Sequence, residues 1–98
     1  MIDPKVGDFY RTLESSSSIY RIVLLARNLD EPERRFVILE QLFESPSHPK
    51  GTFWAIELQD FYEKQVLKDE EFISENKYRK GAELQKFVLM QNFIYDEK

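Results

Sequence analysis

Few side chains of this 98-residue chain could do acid–base or nucleophilic chemistry. The single histidine, His48, lies between Ser47 and Pro49, and this loop position offers it no base partner. The serine run at residues 15–18 lacks the Gly-x-Ser-x-Gly setting of an activated nucleophile. The chain has no cysteine, so thiol catalysis and thiolate metal sites are excluded. These observations predict a protein that is not an enzyme.

Two acidic runs, at residues 30–33 and 69–71, are the other candidates for chemistry. Neither is flanked by the apolar residues that would raise a carboxyl pKa for acid catalysis. Neither has the alternating oxygen ligands and turn glycine of a calcium loop, and the three glycines are too far apart for a phosphate loop. We expect no metal site and no cofactor, and keep an enzyme that uses carboxylates alone as one alternative.

Aromatic residues that alternate with arginines are the strongest candidates for a ligand-binding site in this sequence. On neighbouring predicted strands such residues can stack nucleic-acid bases or grip an extended peptide. The candidate ligand-binding residues are Tyr10, Arg11, Tyr20, Arg21 and Trp54. Tyr10 and Trp54 are expected to keep a polar edge exposed, whereas most other aromatics should form core. A net charge of −4 opposes phosphate binding, so single-stranded nucleic-acid binding is an alternative function only.

Length and composition predict one domain over residues 1–98, with 42% hydrophobic residues to build its core. Residues 1–8 have no apolar signal-peptide region. The longest unbroken apolar run, residues 22–26, is far shorter than the roughly 20 residues that span a bilayer. A small secreted domain often needs disulfides, and this chain cannot form them because it has no cysteine. We therefore expect a cytoplasmic protein that does not enter a membrane.

Two long apolar segments, residues 19–27 and 35–43, must position these side chains. Both are rich in β-branched and aromatic residues. A polar stretch between them predicts an antiparallel hairpin. Because each segment is apolar on both faces, each predicted strand needs a covering element on both sides.

Shorter elements surround this hairpin. The serine run is expected to be a turn or loop, and residues 45–51, with two prolines and a glycine, a loop. The other predicted elements are strands at residues 8–13, 52–56 and 63–66 and, at residues 58–62, a tight turn or a single helical turn.

The last third of the chain is less regular. Residues 68–80 are highly charged and predict an exposed helix or an irregular arm. Residues 82–95 fit either a strand or a helix, and the good helix formers at 82–86 favour a helix. Such a helix would be apolar on more than one face, so it should meet another surface. Its candidate interface residues are Phe87, Met90, Phe93 and Ile94.

Four stretches within residues 7–66 carry a family resemblance. They are Gly7-Asp8-Phe9-Tyr10-Arg11, Tyr20-Arg21-Ile22-Val23 with Ala26, Phe36-Val37-Ile38 with Leu42-Phe43, and Gly51 with Trp54, Leu58 and Phe61. In order and spacing they resemble a small bacterial family, domain-of-unknown-function family sixteen-fifty-three. The resemblance implies a compact SH3-like β-barrel and lends no function.

Three departures separate this chain from the family pattern. Thr12 stands at the position of the family's His, Asn28-Leu29-Asp30 replaces a His-Ser-Glu turn, and Ile56 and Glu57 stand where Arg-Pro belongs. These are the polar motif positions, so a ligand of the family is not carried over to this chain.

Together, these patterns predict a mainly β (α+β) fold. We expect a small SH3-like antiparallel barrel or strongly bent sheet over residues 6–66, with a charged arm and a C-terminal helical appendage over 67–98. The predicted function is a non-catalytic interaction module that binds a protein partner or forms a homodimer through its C-terminal segment.

Overall fold

A computed structural model describes residues 3–73 and 76–96. Over these residues the fold is mainly β, with antiparallel sheets and one short helix. The elements are β1 (Phe9–Thr12), β2 (Ser15–Arg27), β3 (Arg35–Gln41), β4 (Phe53–Glu57), α1 (Leu58–Phe61), β5 (Lys64–Val66), β6 (Glu71–Ile73), β7 (Asn76–Tyr78), β8 (Glu83–Gln85) and β9 (Phe87–Leu89).

The main sheet has five strands in the order β4-β3-β2-β1-β9, all antiparallel. Its centre is the β2–β3 hairpin, which confirms the prediction from the two apolar segments. Asn28 forms the turn, because its side-chain oxygen accepts the N–H groups of Asp30 and Glu31 at 2.9 Å. In the described part of the chain the sheet ends at β4 and β9 and does not close into a barrel.

The serine run belongs to a strand, which corrects the predicted turn. β2 begins at Ser15 and pairs with β1, and the turn lies one step earlier, at Leu13 and Glu14. Within the serine run, Ser15 pairs with Thr12 of β1, whereas residues 16–18 lie where the register with β1 shifts.

The inner face of the main sheet is covered by α1, a role that the sequence did not predict for residues 58–62. Phe61 is fully buried there, stacked on Phe87 with ring centroids 4.9 Å apart and edge-on to Tyr10 at 5.0 Å. This inner core consists of Tyr10, Ile22, Val37, Leu39, Phe61 and Phe87. One helical turn suffices because a single aromatic side chain buries a large apolar area.

The predicted C-terminal helix is wrong, because residues 83–89 form two strands, β8 and β9. β8 pairs with β5, and β9 pairs with β1. Lys86 joins them: its N–H donates to the Glu63 carbonyl at 2.8 Å, and its carbonyl accepts the Leu13 N–H at 2.7 Å. Phe87 packs in the inner core and Val88 against a second cluster. A strand places neighbouring residues on opposite sides, so it can serve two cores where a helix could not.

The charged arm is also ordered differently from the prediction. Residues 71–78 form an antiparallel pair, β6 and β7, rather than a helix or an irregular arm, and residues 74 and 75 between them lie outside the described residues. Ile73 is buried with Leu13 and Leu67 in the second cluster. Burying these three side chains outweighs the local charge of the arm.

Candidate interaction surface

The outer face of the main sheet is covered along one half by residues 90–96, the C-terminal tail. Asn92 adopts a left-handed φ of 60°, which asparagine tolerates, and the tail turns there. Phe93 then packs on Phe9 with ring centroids 5.1 Å apart. Tyr95 lies 5.8 Å below the Arg21 guanidinium and 5.3 Å from the Lys50 ammonium. The tail therefore supplies only part of the second cover expected for the central strands, over β1 and the Arg21 end of β2.

The other half of the outer face is open and apolar. Its residues lie on one side of the sheet because antiparallel partners share a face. Leu24 is opposite Ile38, and Ile38 is opposite Ala55. We call this surface the open patch, and it consists of Leu24, Phe36, Ile38, Phe53 and Ala55. Phe53 is 62% exposed, and Leu24 is 45% exposed.

The edge of β4 borders the open patch and has unpaired backbone groups. The Gln41 N–H donates to the Thr52 carbonyl at 2.8 Å. The ladder between β3 and β4 keeps this register, so Trp54 and Ile56 bond to β3 in turn. Residues 53 and 55 therefore direct their N–H and C=O groups away from the sheet, and Glu57 directs only its N–H outward, because its carbonyl accepts the first N–H of α1. No described strand pairs with that side of β4.

Neither Lys nor Pro blocks the edge of β4. Natural proteins usually protect an edge with these residues, with a bulge, or by keeping the strand short. β4 is Phe-Trp-Ala-Ile-Glu, and its register with β3 is regular. The opposite edge, β9, is only three residues long and follows Lys86. The two edges thus differ, and β4 is the one that can accept another strand.

A buried hydrogen-bond network holds the start of β4 in place. Gln41 is 2% exposed, and its amide nitrogen donates to the carbonyls of Phe43 and His48 at 2.8 and 3.0 Å. Its amide oxygen accepts the Trp54 indole N–H at 3.1 Å. The His48 ring meets the Trp54 ring edge-on, 4.6 Å between centroids. The lone histidine thus fastens the proline-rich loop to the edge strand.

An ion pair holds the end of β4. Glu57 pairs with Arg34, which also pairs with Glu31 at 3.0 Å. Hydrogen bonds to Glu57 and then to Glu31 raise the pKa of Arg34. With both ends held, β4 keeps the geometry that an added strand needs, so little ordering is required on binding.

The predicted ligand-binding residues do not share one exposed face. Tyr10 lies in the inner core at 2% exposure, so its expected exposed edge is absent, and burial raises its pKa. Tyr20 packs partly against the same core. Arg11 pairs with Glu71 at 2.9 Å, and Arg21 pairs with Glu40 at 2.6 Å on the outer face. Trp54 alone combines partial exposure with the β4 edge, where it lies on the inner side.

The predicted interface residues also separate. Phe87 is in the inner core, Phe93 covers Phe9, and Met90 is half-buried. Ile94 is 90% exposed at the outer side of the tail. The sequence pointed to Phe53 only as one of the aromatic residues near arginines, and it did not single out Ala55 or Leu24. The signal for them is the position of β4 as the last strand of the meander, which leaves its outer side without a neighbour.

Among residues 3–73 and 76–96 no group of three potential metal ligands is present. A groove of about 260 Å³ beside β8 and β9 is mostly apolar, and its polar side chains are Tyr10, Tyr78 and Gln85. No helix in this part of the chain has the length and hydrophobicity to cross a membrane.

Comparison with known proteins adds no relative: no family model, curated protein or solved structure matches the chain. The functional argument therefore depends on the geometry above.

Proposed function

We propose that the protein is a non-catalytic interaction module that binds an extended segment of a partner protein along the edge of β4. The observation that carries the proposal is the row of outward-facing backbone groups on β4, next to the open patch. An added strand would pair with those groups, and its alternate side chains would lie beside Phe53 and Ala55 at the rim of the open patch. Backbone pairing supplies affinity, and the patch supplies specificity.

The chemistry of the open patch defines the partner segment. Phe36, Ile38, Phe53 and Ala55 offer only carbon atoms in their side chains, so the segment needs apolar residues at every second position. The same side of the sheet carries the Arg21–Glu40 pair next to the tail. A polar residue at the end of the segment nearest that pair would find hydrogen-bond partners there.

The SH3-like description of residues 6–66 belongs to this proposal. The family resemblance supports it, as does the meander of β1 to β4 followed by a helical turn and a short strand. The proposal places the module in the cytoplasm, which the composition without cysteine supports. We locate the binding surface on β4 rather than on the C-terminal segment because three of the four candidates there contact their own chain.

Selection from a random peptide library displayed on phage tests the proposal. We expect the selected peptides to alternate apolar and polar residues. Their binding should be lost in Ala55→Pro, which removes an outward N–H that the fold itself does not use. Ala55→Lys should also weaken binding, whereas Ser17→Lys, an exposed position away from the patch, should not.

Two results would overturn the proposal. One is a selection that yields no binding peptide for the folded wild-type protein. The other is a set of peptides that bind the folded Ala55→Pro variant as tightly as the wild type.

A further inference from the structure

We propose that the segment bound by β4 is the β4 strand of a second copy of this chain, paired antiparallel about a two-fold axis at Ala55. This inference rests on the proposed function and names its partner. It follows from the spacing of the outward-facing residues in β4 and from their side chains.

The spacing selects one register. With Ala55 on the axis, Ala55 faces the partner's Ala55, and Phe53 faces the partner's Glu57. The C=O groups of residues 53 and 55 and the N–H groups of residues 55 and 57 then have a partner in both copies, whereas the Glu57 carbonyl already accepts the first N–H of α1. A shift of one or two residues in either direction places an outward residue opposite the loop before β4 or the helix α1 after it. The symmetric contact closes as a dimer and leaves no strand edge of β4 free for a third copy.

The side chains fit this register. Ala55 is the smallest residue of β4, so two copies can approach on the axis without a clash. Phe53 lies diagonal to the partner's Ala55, where its exposed ring gains an apolar neighbour. Because facing residues share a side, the two open patches become one continuous apolar surface. Glu57 keeps its ion pair with Arg34, so no unpaired charge enters the interface.

Cysteine cross-linking tests the register directly, since the natural chain has no cysteine. Facing residues of a hydrogen-bonded pair lie about 5.5 Å apart between Cα atoms, within the range that a disulfide spans. Ala55→Cys should therefore form a disulfide-linked dimer on mild oxidation. Phe53→Cys or Glu57→Cys alone should not, because like residues would be on the order of 14 Å apart at about 3.4 Å per residue. A mixture of those two variants should cross-link.

Sedimentation equilibrium supplies the measurement without a cross-link. The wild type should show a concentration-dependent monomer–dimer equilibrium, of modest affinity for so small an interface. Ala55→Pro should weaken association at least about tenfold while circular dichroism shows a folded sheet. Ser17→Cys, equally exposed but off the edge, is the control for random collision in the cross-linking experiment.

Three results would overturn the inference. They are a strict monomer whose Ala55→Cys variant cross-links no faster than Ser17→Cys, a dimer that Ala55→Pro does not weaken, and efficient cross-linking of Phe53→Cys alone. If phage-selected peptides still require the β4 edge in those cases, the proposed function stands and only the identity of the partner fails.

Discussion

Gln41 shows how a single polar side chain can decide local structure. It lies in a strand of apolar residues and is buried at 2% exposure, yet each polar atom of its amide has a partner. Those partners belong to the strand end, the proline-rich loop and Trp54. The residue therefore acts as a connector between β3 and the start of β4.

Replacing this connector should destabilise the fold. Gln41→Leu is similar in volume but leaves the Phe43 carbonyl and the Trp54 indole N–H without their partner, while the His48 carbonyl keeps its bonds from Ser45. We therefore expect a loss of about 2 kcal/mol in the free energy of unfolding. Urea denaturation followed by Trp54 fluorescence measures it. Gln59→Leu, at an exposed position, should change stability by less than about 0.5 kcal/mol. Equal midpoints for the two variants would contradict this role.

Tyr62 provides a titration prediction. Burial, and then the hydrogen bond to Asp3 at 2.5 Å, raise its pKa from 10.0 to about 12. A raised pKa in the folded state stabilises the protein fully below the unfolded value, and this stabilisation is lost as the pH rises from 10.0 to about 12. The stability difference between wild type and Tyr62→Phe should therefore shrink across that window.

Absorbance titration of the phenols checks the assignment. The component that ionises near pH 12 should be absent in Tyr62→Phe, and Asp3→Asn should move it to lower pH. A component near pH 12 that persists in Tyr62→Phe would show that another tyrosine carries it. Burial also raises the pKa values of Tyr10 and Tyr20, so these two provide the comparison.

At the level of single residues, the sequence indicates the chemical type of each side chain better than the direction in which that side chain points in the fold. It predicted an exposed polar edge for Tyr10 and Trp54, but Tyr10 lies in the core, and Trp54, although partly exposed, donates its indole N–H to the buried Gln41. Whether a strand residue faces inward depends on which face α1 covers, and that contact joins residues far apart in the chain. The chemistry of a residue is local, whereas its exposure is not.

Among the elements, the C-terminal tail offers a matched pair of substitutions. Phe93 packs on Phe9, whereas its neighbour Ile94 is 90% exposed. Phe93→Ala should cost about 1–2 kcal/mol, because a partly buried ring is lost. Ile94→Ala should stay within about 0.5 kcal/mol of the wild type.

Thermal and urea denaturation of both tail variants measure the difference. Phe93→Ala should also bind more of the dye ANS, since Phe9 becomes exposed and enlarges the apolar surface. Equal stabilities for the two variants would mean that the tail does not cover the sheet in solution.

The strands that the sequence predicts well are those with strong local patterns. The β2–β3 hairpin, β4 and the helical turn α1 have such patterns in their own residues. Residues 82–86 have helix-forming side chains, yet they form a strand because Lys86 hydrogen-bonds to two distant segments and Val88 packs in the second cluster. Local propensity is a weak preference, and tertiary pairing overrides it here.

On the scale of the whole molecule, the buried side chains form two separate clusters, and residues 83–89 contribute to both. The inner core lies on the main sheet, and the second cluster lies beneath β6 and β7. The β6–β7 pair is short and bonds to no other strand among the described residues. It should therefore open without disturbing the main sheet.

Hydrogen exchange measured residue by residue tests this difference. Amides of β2 and β3 should be protected to the level of global unfolding, while those of β6 and β7 exchange faster through local opening. Arg11→Gln, which removes the ion pair with Glu71, should speed exchange in β6 more than in β3. Uniform protection across both regions would show one cooperative unit instead.

The position of β8 and β9 along the chain has a consequence for synthesis in the cell. Neither buried cluster is complete before residues 83–89 leave the ribosome, since β9 closes the main sheet and β8 closes the second cluster. The apolar β2–β3 hairpin is synthesised before these residues, so its apolar side chains remain exposed to solvent until β8 and β9 are available. The two clusters can therefore form completely only after residues 83–89 have been synthesised, and we expect the nascent hairpin to be a substrate for chaperones that bind exposed apolar strands.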